Sequence, residues 1–490
     1  MVYKGFREWL QLVENDGGVK HISGVDWNLE MGGIAEIVAR EGKKPMPALL
    51  FDDIPGYPRG FRTLCGLMNS PRSLAMALDI PLEGSMELMP LLQRWRAKMR
   101  SHHSVEPKVV SSGPVQENVI SGEHIDVTIF PSPKVHELDG GRYIGTACAI
   151  IQKDPDTGWV NLGVYRSMVI DRNRVALHIL EGQDGRMIMD KYFERKQTMP
   201  VAIAIGVDPA LWAASLVKLP WGTSEFDYAG GIKGEPIEVI KGPYTGLPLP
   251  AHAEIILEGE CIPGELIDEG PFGEWQGYYA NLGLKPVPEP VVRVKTVLHR
   301  NNPILTCATP AAPPKDYSLP VCFVRSGGVW DTLEAARVPG VKGVWNHDEG
   351  GSWYFTTVSI QQMYAGHSKQ AGLIASQATG AFGRYTVVVD EDIDPSDLSQ
   401  VIWAVSTRSI PERSLQILPR CPSNSADPTI SPEEKAKVKV PPKPLFGSRC
   451  VIDACRPFEW RKEFYPVTRI SPEYRAQLMK KFEGLFKELL

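Results

Sequence analysis

At 490 residues the chain is too long for a single hydrophobic core, so roughly two to four domains are expected. Charge is close to balanced, 53 Lys and Arg against 58 Asp and Glu, and no dense basic tract exists, which argues against a nucleic-acid partner. The N-terminus is charged, no apolar run approaches about 18 residues, and eight cysteines are scattered without a Cys-x-x-Cys pair. A signal peptide, a membrane span, a disulfide scaffold and a cysteine-based metal site are all disfavoured, and a reduced, cytoplasmic setting is expected.

In chain order, Phe6, Trp9, Leu10 and Val13 share one face and predict a first helix; Ala75–Leu78 and Leu91–Met99 carry the same spacing. The segment Val105–Asn118, with Pro107, Ser111, Ser112, Gly113 and Pro114, reads as a linker. A mostly β stretch follows, read as a barrel with inserted helices. Ile144–Ile151 and Trp159–Tyr165 flank the turn sequence Asp154-Pro-Asp-Thr-Gly158 and predict a hairpin. Val201–Ile205, Ala253–Leu257 and Val291–Leu298 read as strands, Pro209–Val217 as a helix, and Gly230, Gly231 and Gly234 as tight turns. The final third is α/β: a helix over Ser359–Ala375, a strand Tyr385–Val389, and a helix from Ser396 to about Ser406 capped by Asp394. Cys421–Val440 reads as a loop or mobile segment. A helix over 471–490, capped by Ser471, carries an apolar stripe of Tyr474, Leu478, Phe482, Leu485 and Phe486 that must dock on its own core or on a partner subunit.

Several enzyme classes lack their signatures. His102 and His103 are adjacent, not at zinc-binding helix spacing; there is no Gly-x-Gly-x-x-Gly and no P-loop; neither Ser112 nor Ser224 sits in a nucleophile elbow. What remains is Glu269-Gly-Pro-Phe-Gly-Glu274, two carboxylates bracketing a turn. A spacing of five suits neither one strand face nor one helix face, so only a structured turn would converge them. Such a pair does acid/base work if its surroundings separate the two proton affinities, and is otherwise a solvated surface turn. Asn161 and Glu225 offer oxygens suited to magnesium or manganese, and Arg166 offers a two-pronged clamp for a carboxylate. Taken singly, Asn161 could equally cap a turn and Arg166 pair with any local acid.

Together these segments resemble the UbiD-type reversible decarboxylases. The resemblance rests on Asn161-x-Gly-x-Tyr-Arg166, Met199-Pro-Val-Ala-Ile-Ala-Ile-Gly-Val-Asp-Pro209, Pro250-Ala-His-Ala-Glu-Ile-Ile-Leu-Glu-Gly259, Glu269–Glu274 and Gly277-Tyr-Tyr279, in order and at fitting intervals, and extends from about residue 5 to 470. It implies an α+β multidomain fold: an N-terminal α/β domain over 1–115, a prenylated-FMN-binding split β-barrel over 116–310, a C-terminal α/β oligomerisation domain over 311–465, and a C-terminal helix over 466–490. It implies reversible, non-oxidative decarboxylation of an aromatic, heteroaromatic or α,β-unsaturated acid, with the cofactor made by a separate flavin prenyltransferase and the protein a homodimer or homohexamer. Arg166 would orient the substrate carboxylate, Glu274 would deliver the proton and Glu269 would hold Arg166. Asn161, Arg166, Gln183, Glu225 and Lys369 would contact the cofactor. Manganese (or magnesium) would bind at Asn161, Glu225 and Asp184, the last standing where relatives usually carry histidine, and potassium at Thr146 and Ser215. Gly163 replaces a residue that often carries a hydroxyl. Pro310–Val329 and Pro441–Phe458 are expected to shape the substrate pocket. A flavin reductase using unmodified FMN and a non-catalytic flavin- or metal-binding relative are the competing readings.

Overall fold

A computed structural model describes residues 3–101, 103–437 and 445–489, which build four β-sheets. The first has the order Val19–Ser23, Ala48–Asp52, Arg62–Cys65, Ile304–Thr306, so the chain returns to its N-terminal sheet after completing the central domain. The helix Phe6–Asn15 packs on this region by the four predicted residues, Phe6, Trp9, Leu10 and Val13, all buried. The helices Pro71–Ala77 and Leu88–Arg100 fall where helical spacing placed them.

The central sheet has nine strands. Its main path runs Tyr143–Gly145, Arg166–Val169, Arg174–His178, Val287–His299, Ile255–Glu269, Met199–Ile205, Cys148–Lys153, Val160–Gly163, all antiparallel, with Asn118–Ser121 added beside Val287–His299. Connectivity forces this sheet to curl. Gly163 ends the last strand of the path and Arg166 begins the second, six strand positions away. In a flat sheet those strands would lie about 29 Å apart, at about 4.8 Å per strand. The three peptide units from Gly163 to Arg166 reach at most about 11 Å. Gly145 and Cys148 impose the same closure on the neighbouring pair, so the sheet bends into a half-barrel whose two margins meet. The predicted hairpin is present, Ile150 to Lys153 pairing with Gly163 to Val160.

The C-terminal sheet has the order Val341–Asn346, Phe355–Ile360, Tyr385–Asp390, Phe446–Ala454, Leu415–Pro422; its three inner strands are parallel and its outer two antiparallel. Helices Ser318–Ala335 and His367–Gln377 cover it. Among the described residues no helix is long and apolar enough to cross a membrane.

Six local expectations are corrected. The linker Val105–Asn118 is built into the fold: Val105, Lys108 and Val110 donate backbone bonds to Asp227, Ile237 and Val239, and Lys108–Val109 becomes a strand of a small third sheet. Gly230 and Gly231 lie inside the helix Glu225–Lys233, and only Gly234 turns, at φ 72°. Gly230 serves close approach, since a Cβ there would sit 2.4 Å from the Val105 carbonyl oxygen. The helix expected over Ser359–Ala375 begins at His367, because the β-branched run Thr356-Thr-Val-Ser-Ile360 extends as a strand. The helix Leu398–Arg408 is capped by Asp397, which accepts from the Ser399 and Gln400 amides, while Asp394 closes a turn on Ser396. The terminal helix is capped by Ser471 but breaks at Phe482, leaving Tyr474, Phe482 and Leu485 exposed. Of Cys421–Val440, the first two residues end a strand and Pro432–Ala436 form a capped helical turn. His102, residues 438–440 and residues 441–444 of the expected pocket segment lie outside the described residues.

Candidate active site

The closed seam of the half-barrel places Arg166 on the strand Arg166–Val169, directly across from His178. Glu269 is the last residue of Ile255–Glu269, so a barrel strand delivers it to the same place. Arg166 donates to Glu269 through Nε (2.9 Å) and Nη2 (2.8 Å), a two-pronged pair, and turns Nη1 to Glu274. The Tyr143 hydroxyl donates to Glu269 Oε1 at 2.7 Å, and the Phe272 ring lies under the guanidinium at 4.8 Å. Both carboxylates are buried, which removes the reading of this segment as a solvated surface turn.

Burial alone would push Glu269 up, but the charge and hydrogen bonds of Arg166 bring it down from 4.5 to about 2. Burial works against the Arg166 charge, and the two carboxylates more than offset it, holding the guanidinium well above its ordinary value. Glu269 is therefore ionised at neutral pH and serves as the counter-charge of the site. Glu274 sits in a turn closed by two backbone bonds, Glu274 N–H to the Tyr278 carbonyl (2.9 Å) and Gly277 N–H to the Glu274 carbonyl (2.8 Å). Asp139 ties that turn to the barrel, accepting from the Gly273 amide and the Tyr279 hydroxyl.

On the other margin of the seam, Asn161 is buried and its Nδ2 has no hydrogen-bond partner among the described residues. Glu225, first residue of its helix, is buried beside it and accepts from the Leu162 amide at 2.8 Å. Burial raises its carboxyl from 4.5 to about 8. Asp184 opens the helix Asp184–Glu194, with Gln183 at its N-cap, and is ion-paired with Lys218. Two helix N-termini thus flank the strand Val160–Gly163, an arrangement suited to an anion. The ring of Tyr165 fills the space that a side chain at Gly163 would need: a Cβ there would lie 2.3 Å from Tyr165 Cζ. The Tyr165 hydroxyl accepts from the Gly185 amide at 3.2 Å.

Arg166 thus contacts both Glu269 and Glu274, and Asn161, Glu225 and Asp184 gather at the adjoining margin. Other expected residues do not join them. Thr146 accepts from the Ala308 amide (2.9 Å), Ser215 donates to the Leu211 carbonyl (3.0 Å), and among the described residues no hydrogen bond links the two. Lys369 is exposed on His367–Gln377 in the C-terminal sheet domain, without a described contact to the seam. Tyr143, Asp139 and His178 were not foreseen. His178 bonds Glu289 at 2.9 Å and leaves Nε2 buried and unpartnered among the described residues. No motif marks these three; strand register brings Tyr143 and His178 to the site, and Asp139 reaches it from a loop through the Gly273 amide and the Tyr279 hydroxyl.

A curled antiparallel sheet carrying an arginine between two buried carboxylates belongs here to a carboxy-lyase. Residues 10–89, 108–313 and 320–454 match, in turn, the N-terminal, Rift-related and C-terminal domains of the 3-octaprenyl-4-hydroxybenzoate carboxy-lyase family. The chain belongs to this family, UbiD. It is 31% identical over 479 residues to a pyrrole-2-carboxylic acid decarboxylase from Pseudomonas aeruginosa, covering 94% of this chain and 93% of the relative. Among solved structures it is similar to the UbiD-class enzyme HmfF from Pelotomaculum thermopropionicum in complex with FMN: 29% identity, TM-score 0.82, covering 98% of this chain and 100% of the other. An evolved dimeric form of HmfF in complex with prFMN gives 28% identity and a TM-score of 0.80, covering 96% and 98%.

Proposed function

We propose that the chain releases CO2 from an aromatic or heteroaromatic carboxylic acid by non-oxidative decarboxylation with prenylated FMN. The observation that carries this reading is the unequal sharing of Arg166. Glu269 occupies Nε and Nη2 and, held at about 2, keeps no proton at neutral pH. The Nη1 edge, which now meets Glu274, is the donor left for a substrate carboxylate. As the substrate takes that edge, Glu274 is released toward the carbon that loses CO2 and donates its proton there. Bound prenylated FMN supplies the electron sink for that carbon.

The residues at the second margin fit the phosphate end of such a cofactor. The Asn161 Nδ2 is buried and without a hydrogen-bond partner among the described residues, a donor free for a phosphate oxygen, Glu225 is a buried carboxyl in need of positive charge, and two helix N-termini flank them. Asn161 and Glu225 would hold a divalent ion such as manganese, and Asp184 would join them on leaving Lys218. Gln183, at the N-cap of the adjoining helix, is the remaining cofactor contact on this margin. Potassium at Thr146 and Ser215 would require both hydroxyls to leave their present partners, and Lys369 would have to approach from the C-terminal domain; neither is part of the proposal. A flavin prenyltransferase as cofactor supplier, a cytoplasmic setting, and a homo-oligomer that covers Tyr474, Phe482 and Leu485 complete it.

The test is co-expression with a flavin prenyltransferase, the mass of the bound flavin, and CO2 release from pyrrole-2-carboxylate and a set of hydroxybenzoates. Prenylated flavin with CO2 release that disappears in Glu274→Gln is the expected result. Plain FMN with reductase turnover and no CO2 release would replace the reading with a conventional flavin enzyme.

A further inference from the structure

The Lys315 side chain has no exposed surface and lies on the connection between the central and C-terminal domains, yet nothing in the reaction described above uses it. An ammonium has three donors and no acceptor. Here the group contacts the carbonyl oxygen of Trp275 at 2.8 Å, Ser352 Oγ at 3.1 Å and Asp348 Oδ1 at 3.0 Å. Its direction is therefore fixed. Asp348 grips the residue at both ends, since Oδ2 also accepts from the Lys315 backbone N–H at 3.3 Å. Ser352 donates to Asp348 Oδ1 at 2.9 Å, closing a buried triangle of lysine, aspartate and serine.

The segment that makes this triangle is conformationally costly. Gly351 and Ser352 both have φ 67°, and for serine that left-handed conformation is unfavourable. The turn curls Ser352 back to within hydrogen-bond reach of Asp348, four residues earlier. Burying an ammonium is itself expensive unless it is paired and fully hydrogen-bonded. Both costs are met so that one donor can reach the carbonyl of Trp275, the residue that follows Glu274.

We propose that Lys315 is the positioning residue for Glu274: by holding the Trp275 carbonyl, the Lys315–Asp348–Ser352 triangle sets the plane of the 275–276 peptide and thereby the direction in which the Glu274 carboxyl is presented. The inference rests on Glu274 being the proton donor. The amide of residue 274 is already fixed by the Tyr278 carbonyl, and its own carbonyl by the Gly277 amide. With the next carbonyl held as well, the Glu274 side chain keeps only its own torsions to move between Arg166 and the reacting carbon. The C-terminal domain thus sets the aim of an acid whose arginine partner belongs to the barrel.

The test uses the flavin-loaded full chain and Lys315→Met, which keeps length and removes charge. Hydrogen exchange at the Glu274 and Gly277 amides should rise about tenfold or more, with the Asn161–Arg166 segment unchanged. With pyrrole-2-carboxylate, kcat per bound flavin should fall about tenfold or more while KM stays within about twofold. Ser352→Ala, which removes the serine corner and leaves the Lys315–Asp348 pair, should raise exchange at the same two amides by less, and it decides the matter if Lys315→Met does not fold. Unchanged protection of those amides overturns the proposal, as does a variant that loses flavin and thermal stability but keeps wild-type kcat per bound flavin, since that is a domain staple. If the wild-type protein releases no CO2 from pyrrole-2-carboxylate or the hydroxybenzoates, the decarboxylase reading fails, and amide exchange alone decides the positioning.

Discussion

Arg166 gives two of its nitrogens to Glu269 and one to Glu274, so the two carboxylates of a single short turn are chemically unequal. Glu269 is also bonded by Tyr143 and cannot act as an acid near neutrality. Glu269→Gln and Glu274→Gln should therefore fail differently. Glu274→Gln is expected to lose about 10²–10⁴-fold in kcat at unchanged flavin occupancy, the usual worth of a general acid. Glu269→Gln leaves a buried arginine half-paired and should cost about 3–5 kcal/mol of stability as well as activity. Steady-state kinetics together with urea unfolding separates the two.

Tyr143→Phe removes one neutral donor to an ionised carboxylate while keeping the ring packed on Phe272 at 4.3 Å. A bond of this kind is worth about 1.5–3 kcal/mol. The Glu269 carboxyl should rise from about 2, and the variant should be less stable than wild type at pH 7, by chemical denaturation.

Glu269 is depressed on folding, from 4.5 to about 2. Its contribution, on the order of 3 kcal/mol, is complete above the unfolded value and is lost as pH falls from about 4.5 toward about 2. Glu225 has the opposite sign. Its folded carboxyl is raised to about 8, so the native state holds the proton more tightly, and stability declines as pH rises from 4.5 through about 8. Glu225→Gln should flatten that upper limb, and Glu269→Gln the lower one. Unfolding free energies measured across pH 3–9 check both.

Manganese should counter the Glu225 penalty. Added to the flavin-free protein, it is expected to raise Tm more at pH 8 than at pH 6, because at lower pH it must displace a proton. The shift should vanish in Asn161→Ala and in Glu225→Gln. Equal shifts in wild type and both variants would place the ion elsewhere.

Gly163→Ser tests the wedge of Tyr165. A Cβ at position 163 would fall 2.3 Å from the phenol ring, so the single variant should lose about 1–3 kcal/mol through overpacking. Shrinking the ring in Gly163→Ser/Tyr165→Ala should return part of that loss relative to Tyr165→Ala alone, and a double-mutant cycle measures the coupling.

Where the sequence was legible, local chemistry and global position agreed. The hairpin through Asn161, the helix from Phe6 and the Glu269–Glu274 turn each carry their own signal in spacing or turn residues. Where the structure departs from local signal, the deciding partner is distant in sequence. Glycines 230 and 231 looked like turns because the Val105 carbonyl that crowds Gly230 is more than a hundred residues away. Nothing in the polar linker's own residues signals the strand Glu238–Lys241, about 130 positions on, that pairs with Lys108–Val109. Tyr143, His178 and Lys315 belong to no pattern, since their roles come from register and from a buried triangle that spans 37 residues. Asp184 was placed near Asn161 and Glu225, but its engagement by Lys218 has no counterpart in linear spacing.

The closure of the central sheet has a consequence for how this protein comes to be active. Val164 and Tyr165 are all that separates the margin bearing Asn161 from the strand bearing Arg166. The short link keeps the ends of those two strands within about 11 Å at every stage, but Glu269 meets Arg166 only when Arg166–Val169 is joined through Arg174–His178 and the distant Val287–His299 to Ile255–Glu269. An intermediate with most of its sheet formed would still have no catalytic centre, and a cofactor gripping both margins would act as a clasp on the finished barrel. Flavin binding should then add to the stability of the closed barrel, and a chain reopened by circular permutation between residues 163 and 166 should regain its Tm in part when flavin is added.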